Sequence, residues 1–484
     1  MFNKRVNLTQ KNFLLSLYII ILGVLVPGAY WILNTDRSTS LGGKEQYPIQ
    51  KRISSGERIL ITAHNNAAKQ LAVEAFADGD YVTALKQFKS SLERDRNDPE
   101  ARIYLNNTLA AKTKDPYKIS VSVPIGGNLN AAEEILRGIA HSQDQTNHNG
   151  GINGKLMMIE IANDDNDPET AEEVAENLVK DKQVLAVVGH NDSNASIAAA
   201  PIYQENGLVM VTPTSSAEVI PTMGDYIFRA TPSTRYLAET LAEYAVETAG
   251  KKNITICSDS EAKVSVSFKE NFTWAVYNYG GKITSLDCDL AAENFLPSEM
   301  VSQAVSLGSD ALLLAPSVRK IDKAIEIVAA NDDRLTLFGN HSMTTYKTLK
   351  QGGGDANGMV LTSAWYPSQS TNSFIQDAKK LWGGGVNWRT AMAYDATQTI
   401  TKAIGELGSA DASDPKREEV QQILADPQFS AEGATTAINF LPSGDRNLPG
   451  TLVKVQPGKK SGTGFDFVAL QPDKLVSTKK LNKN

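Results

Sequence analysis

Residues 184–216 read VLAVVGHNDSNASIAAAPIYQENGLVMVTPTSS, and this stretch decides the fold class. The apolar run Val184–Val188 predicts a buried strand, and a short polar loop follows it. A helix is predicted at Asn194–Asn206, and the apolar run Leu208–Val211 predicts a second strand. A strand, a helix and a strand in this order are typical of a parallel sheet that is covered by helices.

The same alternation extends through most of the chain. Upstream, strands are predicted at Lys118–Val123 and Leu156–Ile161, with helices between them. Downstream, a second series begins with the strand Asn253–Ser258 and ends with Leu335–Phe338. Two such series predict an α/β protein of two similar lobes, each a parallel sheet with helices on both faces. Because ligands bind at the carboxyl ends of such strands, the loops that follow the strands are the candidate site.

The composition excludes several classes of protein. A net charge of -7 argues against nucleic acid as a partner, since a phosphate-binding protein normally shows a basic face. Two cysteines, Cys257 and Cys288, are too few for a disulfide framework or a four-cysteine zinc site. A single disulfide between them stays open, but two unpaired buried thiols are favoured. No metal and no cofactor are expected.

The amino terminus predicts a membrane anchor. Residues 13–33 form an uncharged run of 21 residues, which is long enough to cross a bilayer as a helix. The flanking lysines and arginine place residues 1–12 in the cytoplasm and the rest of the chain in the periplasm or extracellular space. A cleaved signal peptide is the alternative, and both interpretations predict export. Residues 34–59 are polar and predict a tether between the membrane and the folded body.

Residues 60–113 predict a helical segment that resembles a tetratricopeptide repeat. The likeness rests on residues at the spacing of that family, namely Leu71, Ala72, Ala75, Gly79, Asp80, Tyr81, Ala84 and Phe88. Only about one and a half repeats are present, and such repeats bury their faces by stacking. A spacer that packs on the next domain is therefore favoured over a groove that binds peptides.

The body, residues 117–470, contains the motifs Gly150–Leu156, Asn163–Pro168, Val187–His190, Gly207–Pro213 and Tyr226–Arg229. With these motifs it resembles a type I periplasmic solute-binding protein, and most of all the branched-chain amino acid binding group of ABC transporters. The resemblance implies that lobe one comprises residues 117–232 and 366–442. It implies that lobe two comprises residues 233–365 and 443–470, and that the lobes close on a ligand by a hinge motion.

The resemblance also implies a ligand site on the first lobe. In the amino acid binding members, a hydroxyl four residues after a strand glycine holds the ligand carboxylate, and Ser193 occupies that place with Asn194 beside it. The alternative is that Ser193 only caps the helix. A second carboxylate clamp follows the next strand, so the backbone groups of Thr214 and Ser215 and the hydroxyl of Ser216 carry over.

The second lobe departs from the pattern of that family. His341 stands where the amino acid binders place a glutamate, and a histidine cannot supply the buried negative charge that a ligand ammonium needs. Ser317 stands in the place of a tyrosine, and other expected aromatic residues are missing. These departures argue against a zwitterionic amino acid and favour another small polar ligand, with His341 as a hydrogen-bond partner. An exposed loop histidine is the alternative.

The leading hypothesis is a membrane-anchored, extracytoplasmic solute-binding protein. It would bind a small polar ligand, such as an amino-acid-like compound, an amide or a carboxylate, for uptake by an ABC transporter permease or for sensing. No enzyme signature is present, so catalysis is not expected. The alternative is a ligand-free interaction module that regulates an envelope complex such as a cell-wall synthase. The missing glutamate favours the alternative, whereas the retained loops at Ser193 and Thr214–Ser216 favour the hypothesis.

Overall fold

The computed structural model describes residues 48–367, 373–408, 415–434 and 437–470. The predicted anchor at residues 13–33 and the predicted cytoplasmic segment at residues 1–12 lie outside these ranges. Within the described ranges, no helix is both long enough and apolar enough to cross a membrane.

The first lobe is built on a six-stranded sheet with the order β1-β3-β2-β4-β5-β6. Its strands are β1 (Ile53–Ser54), β2 (Tyr117–Val123), β3 (Met157–Asn163), β4 (Val184–Val188), β5 (Val209–Thr212) and β6 (Ile227–Arg229). All the neighbouring strands pair in parallel except β1, which runs antiparallel to β3 at the sheet edge. The central strands are buried on both faces, which explains why they appear in the sequence as continuous apolar runs.

The helices of this lobe divide into an amino-terminal group and a sheet-covering group. The first group is α1 (Ala67–Ala77), α2 (Tyr81–Arg94) and α3 (Pro99–Ala111), and the second is α4 (Leu129–His148), α5 (Pro168–Leu178) and α6 (Ser193–Glu205). The first group lies within residues 60–113, for which the sequence predicts a helical segment. Asp98 caps α3 and Pro99 occupies its first turn, where a missing N–H costs nothing.

The second lobe is built on a mixed sheet with the order β16-β15-β12-β11-β10-β7-β8, and β9 also pairs with β7. Its first strands are β7 (Asn253–Ser258), β8 (Lys282–Ile283), β9 (Cys288–Asp289), β10 (Ala311–Ala315), β11 (Thr336–Gly339) and β12 (Val360–Ser363). The helices that accompany them are α7 (Thr234–Glu243), α8 (Lys263–Asn278), α9 (Pro297–Ser306), α10 (Ile321–Asn331) and α11 (Tyr346–Gly352). These strands pair in parallel.

After β12 the chain returns to the first lobe and then crosses back. The returning elements are α12 (Phe374–Trp382), α13 (Trp388–Glu406), α14 (Arg417–Ala425), β13 (Ala431–Glu432) and β14 (Ala437–Ile438). Helix α13 packs on α4, where a Cβ atom on Gly138 would lie 2.2 Å from the backbone oxygen of Thr390. Only glycine allows this close approach of the two helices. The chain then adds β15 (Thr451–Pro457) and β16 (Phe465–Ala469) to the second sheet.

The prediction of two purely parallel sheets is therefore wrong at the edges. Strand β1 is antiparallel in the first sheet, and β15 and β16 are antiparallel in the second. The α/β class, the two lobes and the parallel centre of each sheet are as expected. Antiparallel edge strands are common additions to an otherwise parallel sheet.

The prediction that residues 34–59 form a tether is wrong for the carboxyl-terminal part of this range. Residues 49–51 form a 3₁₀ turn and Ile53 pairs with Ala162, so the folded body begins near residue 49 rather than at residue 60. The polar composition of this stretch concealed a strand of only two residues.

Helices α1–α3 are part of the first lobe. Phe88 and Tyr104 are fully buried in one continuous apolar cluster with Val121 and Ile135 of the body. The side chain of Asn107 donates to the backbone oxygen of Ile159 (2.6 Å) and accepts from its N–H (2.8 Å), which joins α3 to strand β3. The helical segment therefore packs on the next domain, as the sequence favours.

A buried ion network stabilises this segment from inside. The Nζ atom of Lys69 lies 2.6 Å from Asp98 and 2.7 Å from Glu100, and all three side chains are fully buried. Glu100 also accepts a hydrogen bond from the backbone N–H of Leu60 (2.6 Å). The charges are thus paired and hydrogen-bonded, which buried charges require.

Cys257 and Cys288 form a disulfide, which corrects the expectation of two unpaired thiols. The two residues are direct partners in the parallel pairing of β7 and β9, with 4.6 Å between their Cα atoms. Strand pairing between segments 31 residues apart in sequence brings them together, and spacing alone could not reveal it.

Candidate functional site

A narrow cavity lies between the two lobes, at the carboxyl ends of the parallel strands. Its walls come from both lobes and from α13, and the lining residues are Asn191, Asp192, Ser193, Thr214, Val264, Val318, His341, Ser342, Trp388 and Arg389. The cavity has a volume of about 10 Å³, which is room for roughly one water molecule. Side chains of the two lobes therefore lie close together around this cavity.

The loop after β4 presents Ser193 to this cavity. Asp192, and not Ser193, is the N-cap of α6, because its carboxylate accepts from the backbone N–H of Asn194 (2.9 Å). The Ser193 hydroxyl is buried and accepts weakly from the N–H of Ala217 at 3.4 Å. The alternative in which Ser193 caps the helix is thus not what the structure shows.

A buried polar network fixes the backbone of this loop. His190 contacts Asp164 through Nδ1 (2.7 Å) and the hydroxyl of Tyr203 through Nε2 (3.1 Å), and all three are buried. The backbone oxygen of His190 accepts hydrogen bonds from Thr212 (2.9 Å) and Ser215 (3.1 Å). The loops after β4 and β5 are therefore held together as one rigid unit.

Asn194 reaches the other lobe. Its Nδ2 donates to the backbone oxygen of Glu261 at 2.9 Å, and its Oδ1 accepts from the N–H of Lys263 at 3.0 Å. Both partners lie at the start of α8. The structure thus gives Asn194 a role in joining the lobes, and it does not line the cavity.

The three predicted site residues in the loop after β5 make different contacts. Thr214 lines the cavity, and its hydroxyl donates to the backbone oxygen of Asn191 (3.0 Å). Ser215 does not line the cavity, since its N–H and hydroxyl bond inside the first lobe. Ser216 crosses the cleft, with its hydroxyl 3.1 Å from Nε2 of His341.

His341 is buried at the cavity and is not the exposed loop residue of the alternative interpretation. Burial, with a smaller contribution from the charge of Arg389, lowers the pKa of His341 to about 3. The ring is therefore neutral at physiological pH. Its Nδ1 atom is buried without a hydrogen-bond partner among the described residues. A neutral imidazole offers a donor or an acceptor here, and no charge.

Ser317 lies behind the cavity wall. Its hydroxyl accepts from the N–H of Arg319 (3.3 Å) in the turn before α10, and the neighbouring Val318 lines the cavity instead. The predicted contact between Ser317 and a ligand therefore has no support from its position.

Trp388 and Arg389, at the start of α13, are among the cavity residues that the sequence did not reveal. Arg389 is 4% exposed, its guanidinium carbon lies 4.3 Å from the ring centre of Trp388, and its Nε is buried without a partner. Burial lowers the pKa of Arg389 to about 10, so the side chain stays charged at neutral pH. A buried charge that is not paired costs several kcal/mol, more than the ~2 kcal/mol that a desolvated cation–π contact returns.

The other charges at the cavity are already engaged. Asp192 caps α6 and lies 4.0 Å from the guanidinium of Arg319 on the second lobe. Burial raises the pKa of Asp192, which the charge of Arg319 partly offsets. Arg389 is thus the one cavity charge without an ion pair among the described residues, and the site favours an acceptor-rich ligand.

The fold and the cavity together are those of a two-lobed binding protein whose site lies at the carboxyl ends of parallel strands. The family model described as "Periplasmic binding protein" matches residues 116–456, so the chain belongs to the periplasmic binding protein family. This family consists of solute-binding proteins and not of enzymes. The match begins after α1–α3, so the likeness of those helices to a tetratricopeptide repeat stays a prediction.

Individual relatives agree with this assignment. The chain is 26% identical over 307 residues to the Leu/Ile/Val-binding protein BraC3 of Rhizobium johnstonii. The aligned region covers 60% of this chain and 80% of the relative. A leucine-binding protein of Thermotoga maritima has a similar structure, with a TM-score of 0.64, 22% identity and coverage of 74% of this chain and 99% of that one. A Rhodopseudomonas palustris solute-binding protein in complex with 3,4-dihydroxybenzoic acid has a TM-score of 0.63, 16% identity and coverage of 74% and 97%.

Proposed function

We propose that this chain is an extracytoplasmic solute-binding protein that holds a small polar ligand between its two lobes. The observation that carries the proposal is the cavity itself, which Ser193 and Thr214 approach from the first lobe and His341 from the second. Such a site binds by closing, because each lobe supplies half of the contacts. The lobe bounds that we propose are residues 117–232 with 366–442 and residues 233–365 with 443–470.

The proposal includes membrane anchoring and a transporter. Residues 13–33 would hold the amino terminus in the membrane and leave the body outside the cytoplasm. An ABC transporter permease would then receive the ligand, as the family membership and the names of similar solved structures suggest. Sensing through another envelope protein is the variant of this proposal that needs no permease.

A thermal-shift screen of residues 48–484 tests the proposal. The panel contains amino acids, amides, aliphatic carboxylates and benzoates, since relatives and similar structures are named for leucine and for 3,4-dihydroxybenzoic acid. A ligand at a hundred times its Kd adds about 2.7 kcal/mol of stability, which is a visible rise in melting temperature. The rise should disappear in the double variant Ser193→Ala, Thr214→Val, and persist in Ser302→Ala on the exposed face of α9. Absence of any rise across the panel would contradict the proposal.

A second candidate function is a docking module without a solute. The specific observation in its favour is that the lobes bond directly to each other through Ser216 and His341 and leave room for about one water molecule. In that case an envelope complex such as a cell-wall synthase would be the partner. A panel without hits, together with co-purification of one envelope protein from cross-linked membranes, would favour this candidate.

A further inference from the structure

We propose that Arg389 is the anion-binding residue of the cleft, and that the ligand is therefore a carboxylate without an ammonium group. This inference rests on the proposed function, since it names the ligand class of the same site. It starts from the one charged side chain at the cavity that has no ion pair among the described residues.

The surroundings of Arg389 leave its charge available. The charge of Glu134 on α4 raises the pKa of Arg389 and so offsets part of the effect of its burial. Glu134 forms no ion pair with Arg389 among the described residues, because its carboxylate is ion-paired with Arg137 (2.8 Å) and hydrogen-bonded to Thr390 (2.5 Å). Asn387 caps α13 and accepts from the N–H groups of Arg389 (2.9 Å) and Thr390 (3.4 Å). The first amides of the helix are therefore satisfied, and the guanidinium itself is the unsatisfied group.

Two further nitrogens make the cavity rich in donors. Nε1 of Trp388 can only donate a hydrogen bond, and it is buried without a partner among the described residues. Nδ1 of His341 is likewise buried and unpartnered among the described residues, and it is a donor in the tautomer in which Nε2 accepts from Ser216. Together with Nε of Arg389, three nitrogens of cavity residues lack a hydrogen-bond acceptor among the described residues. A carboxylate could accept from all three, because it offers about four lone-pair sites.

The same surroundings disfavour an ammonium group. His341 is neutral, and an unpaired guanidinium repels a second cation in a medium of low dielectric constant. Asp192 is the carboxylate that could attract an ammonium, but it already caps α6 and faces Arg319 at 4.0 Å. The competing occupant of the cleft is therefore a zwitterion whose ammonium displaces Arg319 from Asp192.

Calorimetric titration with matched probes tests this proposal. The probes are leucine, 4-methylpentanoate, which is leucine without its amino group, and leucinamide, which lacks the carboxylate. 3-Phenylpropanoate and phenylalanine, and acetate and glycine, extend the comparison to other sizes, at one ionic strength set with sodium chloride. We expect the carboxylates to bind at least 10-fold more tightly than the matching amino acids, and the cationic amide not to bind.

Variants of Arg389 assign the effect. Arg389→Gln should weaken carboxylate binding about 10- to 100-fold, the range for a lost charged hydrogen bond, and Arg389→Lys should recover part of it. The matched control is Arg235→Gln, at an exposed ion pair on α7, and it should leave the affinity unchanged. Among the described residues the Arg389 side chain has no hydrogen bond to lose, and its buried charge costs more than its contact with Trp388 returns. The melting temperature of ligand-free Arg389→Gln should therefore not fall.

The outcomes separate this inference from the proposed function. Tight binding of the amino acids or the amide, with the same affinity in Arg389→Gln, overturns the inference and leaves a solute-binding protein. A fall in melting temperature with equal loss for every probe shows that Arg389 is structural and overturns it as well. No binding by any probe removes the proposed function itself.

Discussion

The hydroxyl of Ser216 on the first lobe lies 3.1 Å from Nε2 of His341 on the second lobe. Both side chains are buried, so the bond forms out of contact with water. Trp388 supports the His341 ring from the side, with 5.5 Å between the ring centres in an edge-to-face arrangement. Because a buried hydrogen bond is costly to leave unmade, this pair favours the closed arrangement of the lobes.

Replacing Ser216 with alanine should therefore shift the lobes towards an open arrangement. The substitution leaves Nε2 of His341 without its partner when the cleft is closed, whereas opening restores contact with water. We expect a larger radius of gyration in small-angle X-ray scattering. Ser342→Ala is the matched control, since Ser342 lines the same cavity without a bond across the cleft. Equal scattering curves for the three proteins would show that the pair does not govern closure.

A second bridge between the lobes can be tested one amide at a time. Asn194→Ala removes the acceptor of the Lys263 N–H and should speed hydrogen exchange of that amide, because exposure to water replaces a hydrogen bond. The amide of Glu261 is an internal control, since it donates to Asp259 within the second lobe (3.2 Å). Unchanged exchange at Lys263 would mean that another contact protects it.

Much of the fold could be predicted because strands that are buried on both faces appear in the sequence as continuous apolar runs. Val184–Val188 is apolar throughout, and the structure places it as a strand with the predicted bounds. The short edge strand at Ile53–Ser54 could not be predicted in this way, because two residues are too few to form a recognisable hydrophobic pattern. The Cys257–Cys288 pair was missed for a related reason, because strand order decides it and spacing does not.

The candidate site was predictable where residues belong to a loop that follows a parallel strand. Ser193, Thr214 and His341 lie in the loops after β4, β5 and β11, and the structure places all three at the cavity. Arg389 approaches from a helix about 180 residues further along the chain than the loops after β4 and β5, so no local pattern indicates it. The sequence left open whether His341 is a site residue or an exposed loop residue, because its burial depends on contact with the other lobe through Ser216.

The buried ion network in the helical segment predicts a large effect on stability. Lys69→Met leaves the carboxylates of Asp98 and Glu100 adjacent and uncompensated, and should lower the free energy of unfolding by about 3–5 kcal/mol. Chemical denaturation measures this change. The exposed Lys89→Met on α2 is the control, with an expected change near zero. Adding Glu100→Gln to Lys69→Met should recover part of the loss, and a double variant less stable than the single one would refute the explanation.

His64 joins the helical segment to the body and should make that contact dependent on pH. Its Nδ1 lies 2.6 Å from Asp95 and its Nε2 lies 3.0 Å from Glu133 of α4. The hydrogen bond to Glu133 is the largest cause that raises the pKa of His64 to about 9, against the opposing effect of burial. Asp95, Asp98 and Glu133 all favour the charged ring, whereas Arg137 neutralises part of the charge of Glu133.

The sign of the pH effect follows from this direction of the shift. A pKa that is higher in the folded state gives stability that is fully present below about pH 6.5 and is lost as the pH rises through about 9. We therefore expect the wild type to have a higher melting temperature than His64→Gln at pH 6. The difference between the two melting temperatures should shrink towards pH 9.5. His148→Gln, at an exposed position of α4, should follow the wild type at every pH. A constant difference between wild type and His64→Gln would show that the ring acts through packing and not through its charge.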